Sequence, residues 1–382
     1  MTRPRILLAG GGTGGHVFPA IAVAEAIRAV ADVDIVFCGT ARGIEAREVP
    51  ARGWRLELLD VEPMRGKGVS RALRAAFIAA RATVRGLALV HRLKPRVVLS
   101  VGGYAAGPVT LAAAMHGIPI AVLEPNSVVG LANALVAPFA QRAYIAWDEA
   151  ASRFRSSACR AYGVPLRGGF APRPYAPRGT GRLLVMGGSQ GAAALNERLP
   201  EAVARLQGIV HGLDVVHQAG RDRDVAVREA YARHGVEHAV VVPFLDDVAG
   251  AIAHADLVVA RAGAGTIAEI AAIGRAAILV PLPHAAGDHQ RRNAEALARA
   301  GAAVCVQQEA ADAARLSSEI ERLLRATSAR VAMADAARAR GTPNAARDVA
   351  ADLLALAGVG AERKTANGIA MHTHPSIERE VR

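Results

Sequence analysis

The run Gly10-Gly11-Gly12-Thr13-Gly14-Gly15-His16 puts a histidine at the end of a stretch of nearly bare backbone. Glycines let N–H groups come close to an anion, and a following helix adds its dipole, so such a loop suits phosphate. Histidine titrates near neutrality, which suits proton transfer. A second glycine loop, Gly187-Gly188-Ser189-Gln190-Gly191, lies roughly one domain further on. A third element, Arg261-Ala262-Gly263-Ala264-Gly265-Thr266-Ile267-Ala268-Glu269, has two readings. Thr266 and Glu269 can close a helix start reciprocally as a capping box. Alternatively, free amides over residues 264–266 hold a diphosphate, and Glu269 accepts hydrogen bonds from ribose hydroxyls. Polar residues also follow apolar runs at Gly102-Gly103-Tyr104, Glu124-Pro125-Asn126 and Asp288-His289-Gln290-Arg291-Arg292-Asn293-Ala294. The last cluster is placed to hydrogen-bond a sugar or to start a helix.

Gly10, Gly12 and Gly15 match the dinucleotide fingerprint, yet Cys38-Gly39-Thr40 stand where a ribose-binding acid belongs. This counts against a nicotinamide or flavin oxidoreductase. Asp32/Asp34 and Asp222/Asp224 have the carboxylate spacing of metal-dependent sugar transferases, but the first pair enters a strand and the second lies in a charged loop. No paired-histidine helix or Cys-x-x-Cys is present, so neither metal nor cofactor is expected. Cys38, Cys159 and Cys305 are far apart and odd in number, as in a chain from a reducing compartment.

The elements that must position these residues alternate. Short continuous apolar runs, the pattern of buried parallel strands, cover residues 5–9, 34–38, 96–101, 119–123 and 143–146, with helical stretches between, the first from about residue 19 to 30. A break rich in proline and glycine follows, and the alternation resumes at 183–186, 215–218, 239–242, 257–260 and 277–280. An alanine-rich helical pattern runs from about residue 319 to 357. The reading is α/β: two doubly wound, Rossmann-like domains facing each other across a cleft, with ligands at the carboxyl ends of the strands. Domain limits are expected at 1–164, a linker at 165–181, the second domain at 182–340, a returning helix at 341–358 and a disordered tail at 359–382.

The net charge of +12 is unevenly spread. Residues 63–123 hold no Asp or Glu, and Arg71, Arg74, Arg81 and Arg85 alternate with apolar residues such as Phe77 and Ile78. A helix with basic and apolar surface side by side suits an anionic membrane; a solvated helix or a nucleic-acid surface are the alternatives. Sparse aromatics argue against base stacking. No secretory signal is visible. The longest stretch free of Asp, Glu, Lys and Arg, residues 97–123, is broken by glycines and prolines and does not read as a membrane span.

Taken in order and spacing, Gly11-Gly12-Thr13-Gly14-Gly15-His16, Gly102-Gly103-Tyr104, Glu124-x-Asn126, Gly187-Gly188-Ser189-Gln190-Gly191, Arg261-x-Gly263-Ala264 and His289-Gln290-x-x-Asn293-Ala294 resemble one family. It is the bacterial transferases that make lipid II, the UDP-N-acetylglucosamine–N-acetylmuramyl-(pentapeptide) pyrophosphoryl-undecaprenol N-acetylglucosamine transferases. The resemblance covers about residues 4–357. It implies a GT-B fold, an acceptor-binding and membrane-associated first domain, and a second domain that binds the UDP-sugar. The final helix crosses back onto the first domain. The family's donor contacts fall on Thr13, Gly14, Gly15, Asn126, Arg167, Ser189, Leu245, Ala264, Gly265, Thr266, Ile267, Ala268, Glu269 and Gln290. The chain departs from the pattern at Leu123, Pro125, Ala262 and Gly287.

The implied reaction moves N-acetylglucosamine to the C4 hydroxyl of the muramyl sugar of lipid I, with inversion. His16 is the first choice of base, and Glu124 orients or replaces it. Helix N-termini and Arg167 or Arg261 offset charge on the leaving UDP. The implied partners are UDP-N-acetylglucosamine, undecaprenyl-linked lipid I, an anionic membrane surface and other cell-wall or division proteins, without nucleic acid. The implied location is the cytoplasmic face of the inner membrane, as a peripheral protein. Two other readings remain: a UDP-sugar transferase acting on another lipid such as diacylglycerol, and a UDP-sugar-binding scaffold without catalysis.

Overall fold

The computed structural model describes residues 3–61, 69–177, 181–188 and 190–360, with the backbone alone for 69–80 and 286. Two parallel sheets organise it. The first runs through β1 (Arg5–Gly10), β2 (Asp34–Gly39), β3 (Arg55–Leu58), β4 (Val97–Gly102), β5 (Ile120–Glu124), β6 (Arg142–Ile145) and β7 (Cys159–Arg160), in the order β3-β2-β1-β4-β5-β6-β7. The second holds β8 (Arg182–Met186), β9 (Asp214–Gln218), β10 (Val240–Val242), β11 (Leu257–Ala260), β12 (Ala277–Leu279) and β13 (Val304–Cys305), ordered β10-β9-β8-β11-β12-β13. Every pairing is parallel, and helices cover both faces. Ile6, Leu8, Val97 and Leu99 face one layer of the first core while Leu7, Ala9 and Val98 face the other, which is why these strands read as unbroken apolar runs.

In each sheet the winding reverses beside the first strand, between β1 and β4 and between β8 and β11. Such switch points open a crevice at the carboxyl ends of the strands. The Gly10–His16 and Gly102–Tyr104 segments meet at the first crevice. The Gly187–Gly191 and Arg261–Thr266 segments follow the strands that flank the second.

Several elements differ from the sequence expectation. The first helix, Gly14–Val30, starts five residues early, with Thr13 as its extended N-cap, so His16 stands on the first helical turn. The edge strands β3, β7 and β13 carry too little apolar pattern to be read: two have two residues and β3 alternates charge with leucine. The helical stretch from 319 is three helices, Ala313–Arg325, Thr327–Ala339 and Ala345–Leu356, interrupted at Ala326 and around Gly341.

The last of these helices lies on Gly14–Val30, with Val349, Ala350, Leu353 and Leu354 buried in the first core beside Ile21 and Ala24. Asp352 ties it down by accepting from Arg142 Nε and the Tyr144 hydroxyl, both at 2.9 Å. The proline-rich segment after Gly163 is not free along its length. Arg173 N donates to Ile273 O at 3.1 Å, and Tyr175 donates to the buried Asp256 at 3.1 Å. The chain therefore attaches to the second half well before β8. The tail expected at 359–382 lies outside the described residues from 361 on.

Candidate active site

Most of the proposed catalytic and donor-binding residues follow the carboxyl end of a strand, whereas the proposed membrane contacts lie on the helix Val69–Leu93. His16 lies over the first crevice: its Nδ1 is 3.2 Å from Thr13 Oγ1, and its Nε2 edge lies against the Cα of Gly102, whose φ of 85° and missing side chain leave the room. Burial holds the imidazole below its ordinary pKa. Nearby Glu124 and the Gly11 carbonyl oppose that shift, whereas His289, from the other half, adds to it. A histidine kept neutral at physiological pH is ready to accept a proton.

Glu124 closes β5 and is almost fully buried. Its Oε1 accepts from Asn126 N (3.1 Å) and Asn126 Nδ2 (3.3 Å), and its Oε2 from Gly130 N (2.9 Å) and Asn133 Nδ2 (3.0 Å). Asn133 in turn donates to Leu123 O at 3.1 Å and accepts from Ser100 Oγ at 2.8 Å. Four donors on one carboxylate make Glu124 the organiser of the loop that carries Asn126 and a fixed negative charge near His16. The geometry favours its orienting role over its use as the base. Asn133, which links β4 and β5 to that carboxylate, was not singled out from sequence; a lone Asn in the segment after β5 carries no local signal.

In the second half, the helix Ala264–Ile273 follows β11 with Gly263 as its N-cap and no side-chain cap. The capping-box expectation fails because Thr266 is already the third helical residue. The amides of Ala264, Gly265 and Thr266 have no intrahelical partner, whereas Ile267 N donates to Gly263 O at 3.0 Å. Ile267 is buried in the core, which removes its side chain from the cleft. Glu269 lies one turn in, where burial pushes its carboxyl up to about 7, opposed by Arg167 with Nη2 at 3.9 Å.

Arg167 also lies over the rings of Phe18 and Phe170, each 5.8 Å from ring centroid to guanidinium carbon. Arg261 is differently engaged. It donates to Val280 O (3.1 Å), Pro281 O (3.2 Å) and Gln308 Oε1 (2.6 Å), so it braces the ends of β12 and β13, and Arg167 is the cation beside the carboxylate.

Gln290 sits in the first turn of the helix His289–Arg299, where its Oε1 accepts from Leu282 N at 3.0 Å. Leu245 follows β10 half-buried against the second core. Ser189 lies outside the described residues. The two halves touch where Ser127 N donates to Asn293 Oδ1 at 3.3 Å. A cavity of about 500 Å³ lies elsewhere, lined by residues that include Ile118, Gln141, Arg142 and Arg155 at the amino ends of β5 and β6.

Of the acids considered for a metal, Asp32 pairs with Arg3 (3.0 Å), Asp34 with Arg5 and Asp224 with Arg228 (3.2 Å). On the outer face, the basic segment forms the helix Val69–Leu93. The side chains of Arg71, Arg74, Phe77 and Ile78 lie outside the described residues. Arg81 and Arg85 both reach Asp60, at 3.5 and 3.1 Å. This acid stands just before the acid-free stretch, so the basic surface is less positive than the sequence count implies. Among the described residues, no helix is long and apolar enough to cross a membrane.

Two parallel-sheet halves, a neutral-leaning histidine on one wall and an open helix N-terminus with a buried carboxylate on the other define a glycosyltransferase of the two-domain nucleotide-sugar class. The chain matches the glycosyltransferase family 28 N-terminal domain over residues 6–145 and the family 28 C-terminal domain over 182–351, and it belongs to that family. It is 56% identical over 357 residues to the UDP-N-acetylglucosamine–N-acetylmuramyl-(pentapeptide) pyrophosphoryl-undecaprenol N-acetylglucosamine transferase of Sorangium cellulosum, covering 92% of this chain and 88% of that one. Its identity to the protein of the same name from Syntrophotalea carbinolica is 44%, covering 90% and 96%. The crystal structure of MurG from Acinetobacter baumannii aligns with a TM-score of 0.75 at 33% identity over 92% of this chain and 99% of that one. A UDP-GlcNAc 2-epimerase from Neisseria meningitidis, at 12% identity and a TM-score of 0.62 over 92% and 100%, shares the fold.

Proposed function

We propose that His16 is the general base in transfer of N-acetylglucosamine from UDP-N-acetylglucosamine to the C4 hydroxyl of the muramyl sugar of lipid I, forming lipid II with inversion. The observation that carries this reading is an imidazole on the first turn of the Gly14–Val30 helix, set against the Gly102 backbone at the first crevice, where burial lowers its pKa and Glu124 opposes that shift. As the C4 oxygen attacks the anomeric carbon, its proton passes to the imidazole and the bond to UDP breaks. Glu124 keeps the Asn126 loop in place and favours the imidazolium as it forms.

On the donor side, the free amides of Ala264, Gly265 and Thr266 face the diphosphate, joined by Arg167 and by Thr13, Gly14 and Gly15 from the opposite wall. Glu269 accepts from ribose hydroxyls, Leu245 lies against the base, and Asn126, Gln290 and the backbone near Ala268 complete the sugar pocket. Ser189 takes its role from the family pattern alone.

The enzyme works as a peripheral protein on the cytoplasmic face of the inner membrane, where it meets its lipid acceptor and serves cell-wall growth and division. Exposed Leu111 and Met115 on the helix packed against Val69–Leu93, and exposed Leu131, Leu135 and Phe139 after β5, support that docking, together with the arginines at 71, 74, 81 and 85. The experiment that tests the function is radiolabel transfer from UDP-N-acetylglucosamine to a lipid I analogue. UDP-glucose and diacylglycerol serve as competitors. Label in the disaccharide product, undiminished by either competitor, is expected. Transfer to diacylglycerol overturns the acceptor, and UDP-sugar binding without transfer overturns the enzyme.

A further inference from the structure

The first glycine loop already holds an anion, and the chain itself provides it. Glu45 belongs to the short helix Glu45–Glu48 after β2, and its side chain is buried to 1% exposure. Its Oε2 accepts from Gly12 N at 2.7 Å, and its Oε1 from Thr40 N at 2.8 Å and Thr40 Oγ1 at 3.0 Å. A Cβ at Gly11, Gly39 or Gly43 would overlap the carboxyl group, so three segments of backbone are bare where it passes. Among the described residues no lysine or arginine pairs with it. A buried carboxylate without a cation is costly unless donors converge on it, and here three do.

The remaining loop contacts show what this anchor sets. Gly11 N donates to Gly102 O at 3.0 Å, and Thr13 O accepts from His16 N and Val17 N, both at 3.1 Å. With the Gly11 and Gly12 amides committed, Gly14 and Gly15 at the helix start are the amides left facing the cleft.

We infer that Glu45 is a positioning residue of the transfer reaction: its carboxylate is the built-in anion of the first glycine loop, holding Gly12 so that the Thr13–His16 turn presents the imidazole, and closing that amide to phosphate. The inference rests on the proposed role of His16. The charged and titratable groups that bear on the imidazole are Glu124 after β5, His289 from the second half and Glu45 itself. Each carboxylate favours the imidazolium, so removing the Glu45 charge lowers the pH at which His16 protonates.

Glu45→Gln keeps the size but turns an NH2 toward one of the amide donors. In the full-length enzyme kcat is expected to fall at least about tenfold, the cost of a buried donor left facing another donor, while the KM for UDP-N-acetylglucosamine stays within about threefold. The acid limb of kcat and the imidazole titration followed by NMR are both expected to move to lower pH. Thr40→Val removes one of the three donors and lowers kcat about twofold.

A folded Glu45→Gln enzyme with kcat within about threefold of the parent, or with an unmoved His16 titration, overturns the inference. If Glu45→Gln does not fold, Thr40→Val decides in the same way: an unchanged kcat and an unmoved imidazole overturn it. The NMR titration needs no substrate. A His16→Ala enzyme that keeps its turnover would thus remove the base role without touching the Glu45 result.

Discussion

The two halves repeat one plan, a parallel sheet whose first strand runs into a glycine loop at the switch point, yet they set their buried carboxylates differently beside the cleft. In the first half the Gly12 amide is filled by the chain's own carboxylate, Glu45, and the helix start carries His16. In the second half the helix from Ala264 follows β11, the counterpart of β4. Like the helix from Gly14 it has neither a side-chain cap nor an acid in its first turn, but its carboxylate, Glu269, sits a turn deeper beside Arg167. One carboxylate is spent on a loop amide of its own chain, while Gly14 and Gly15 keep their amides open at the helix start. The other carboxylate leaves every amide of its helix start open and faces a cation instead. What a glycine-bearing loop can hold depends on which of its amides are already spent.

That contrast is tested most severely at His16. His16→Ala should lower kcat about a thousandfold, within the usual range for a lost general base, with little change in the KM for the UDP-sugar. Steady-state transfer assays at saturating acceptor read this directly. An equal loss in donor affinity would mean that His16 itself holds the donor rather than taking the proton.

Glu269 tests the open half, and its two effects have opposite signs. Because burial raises its pKa to about 7, the folded chain holds this proton more tightly than the unfolded chain does. The stability this contributes is complete below the unfolded value near 4.3 and is lost as pH rises through about 7. Glu269→Gln should therefore stabilise the protein at pH 8, by up to about 3 kcal/mol, as denaturant unfolding would show. In calorimetry the same variant should bind UDP about thirtyfold more weakly, since a charged acceptor for hydroxyl donors is gone. A variant that is more stable and binds UDP as before would leave Glu269 without a ligand role.

Much of this contrast is legible in the sequence, and the rest is tertiary. The strands at 183–186 and 257–260 are evident because burial on both faces writes them as apolar runs. The glycine loops and His16 are legible because they are local. Glu45 is not: it lies six residues beyond β2, and its contact with Gly12 exists only once β1 and β2 are paired. The start of the first helix at Gly14 was hidden by glycine's poor helix propensity, which tertiary context overrides. Thr266 and Glu269 have capping-box spacing, but Gly263 takes the N-cap three residues earlier. Asp60 escaped because it stands outside the acid-free window while its partners Arg81 and Arg85 stand inside it.

A smaller effect is expected at Arg167, which bridges the halves through Phe18 and Glu269. Arg167→Met should raise the donor KM about tenfold, as for a lost charged hydrogen bond. The guanidinium also opposes the burial shift on Glu269, so its removal pushes that carboxyl further up. The pH at which donor binding reaches half its maximum should then rise. A KM increase without that pH shift would assign Arg167 to the diphosphate alone.

The smallest effect concerns the outer face, where the halves also differ: the basic helix and the exposed apolar side chains beside it belong to the first half only. Asp60 is largely exposed and lies within reach of both Arg81 and Arg85. Solvent screens such pairs, so Asp60 contributes little to stability. It does cancel one positive charge where the helix would meet anionic lipid. Each basic charge near such a surface contributes about 1 kcal/mol before screening, so Asp60→Asn should tighten binding to phosphatidylglycerol vesicles by about two- to threefold. Raising the salt should erase the gain, because a shorter Debye length screens exposed charges from the headgroups. Vesicle sedimentation measures both. Unchanged binding at low salt would mean that this end of the helix faces away from the bilayer, and the docking surface would then have to lie nearer the exposed Leu131, Leu135 and Phe139.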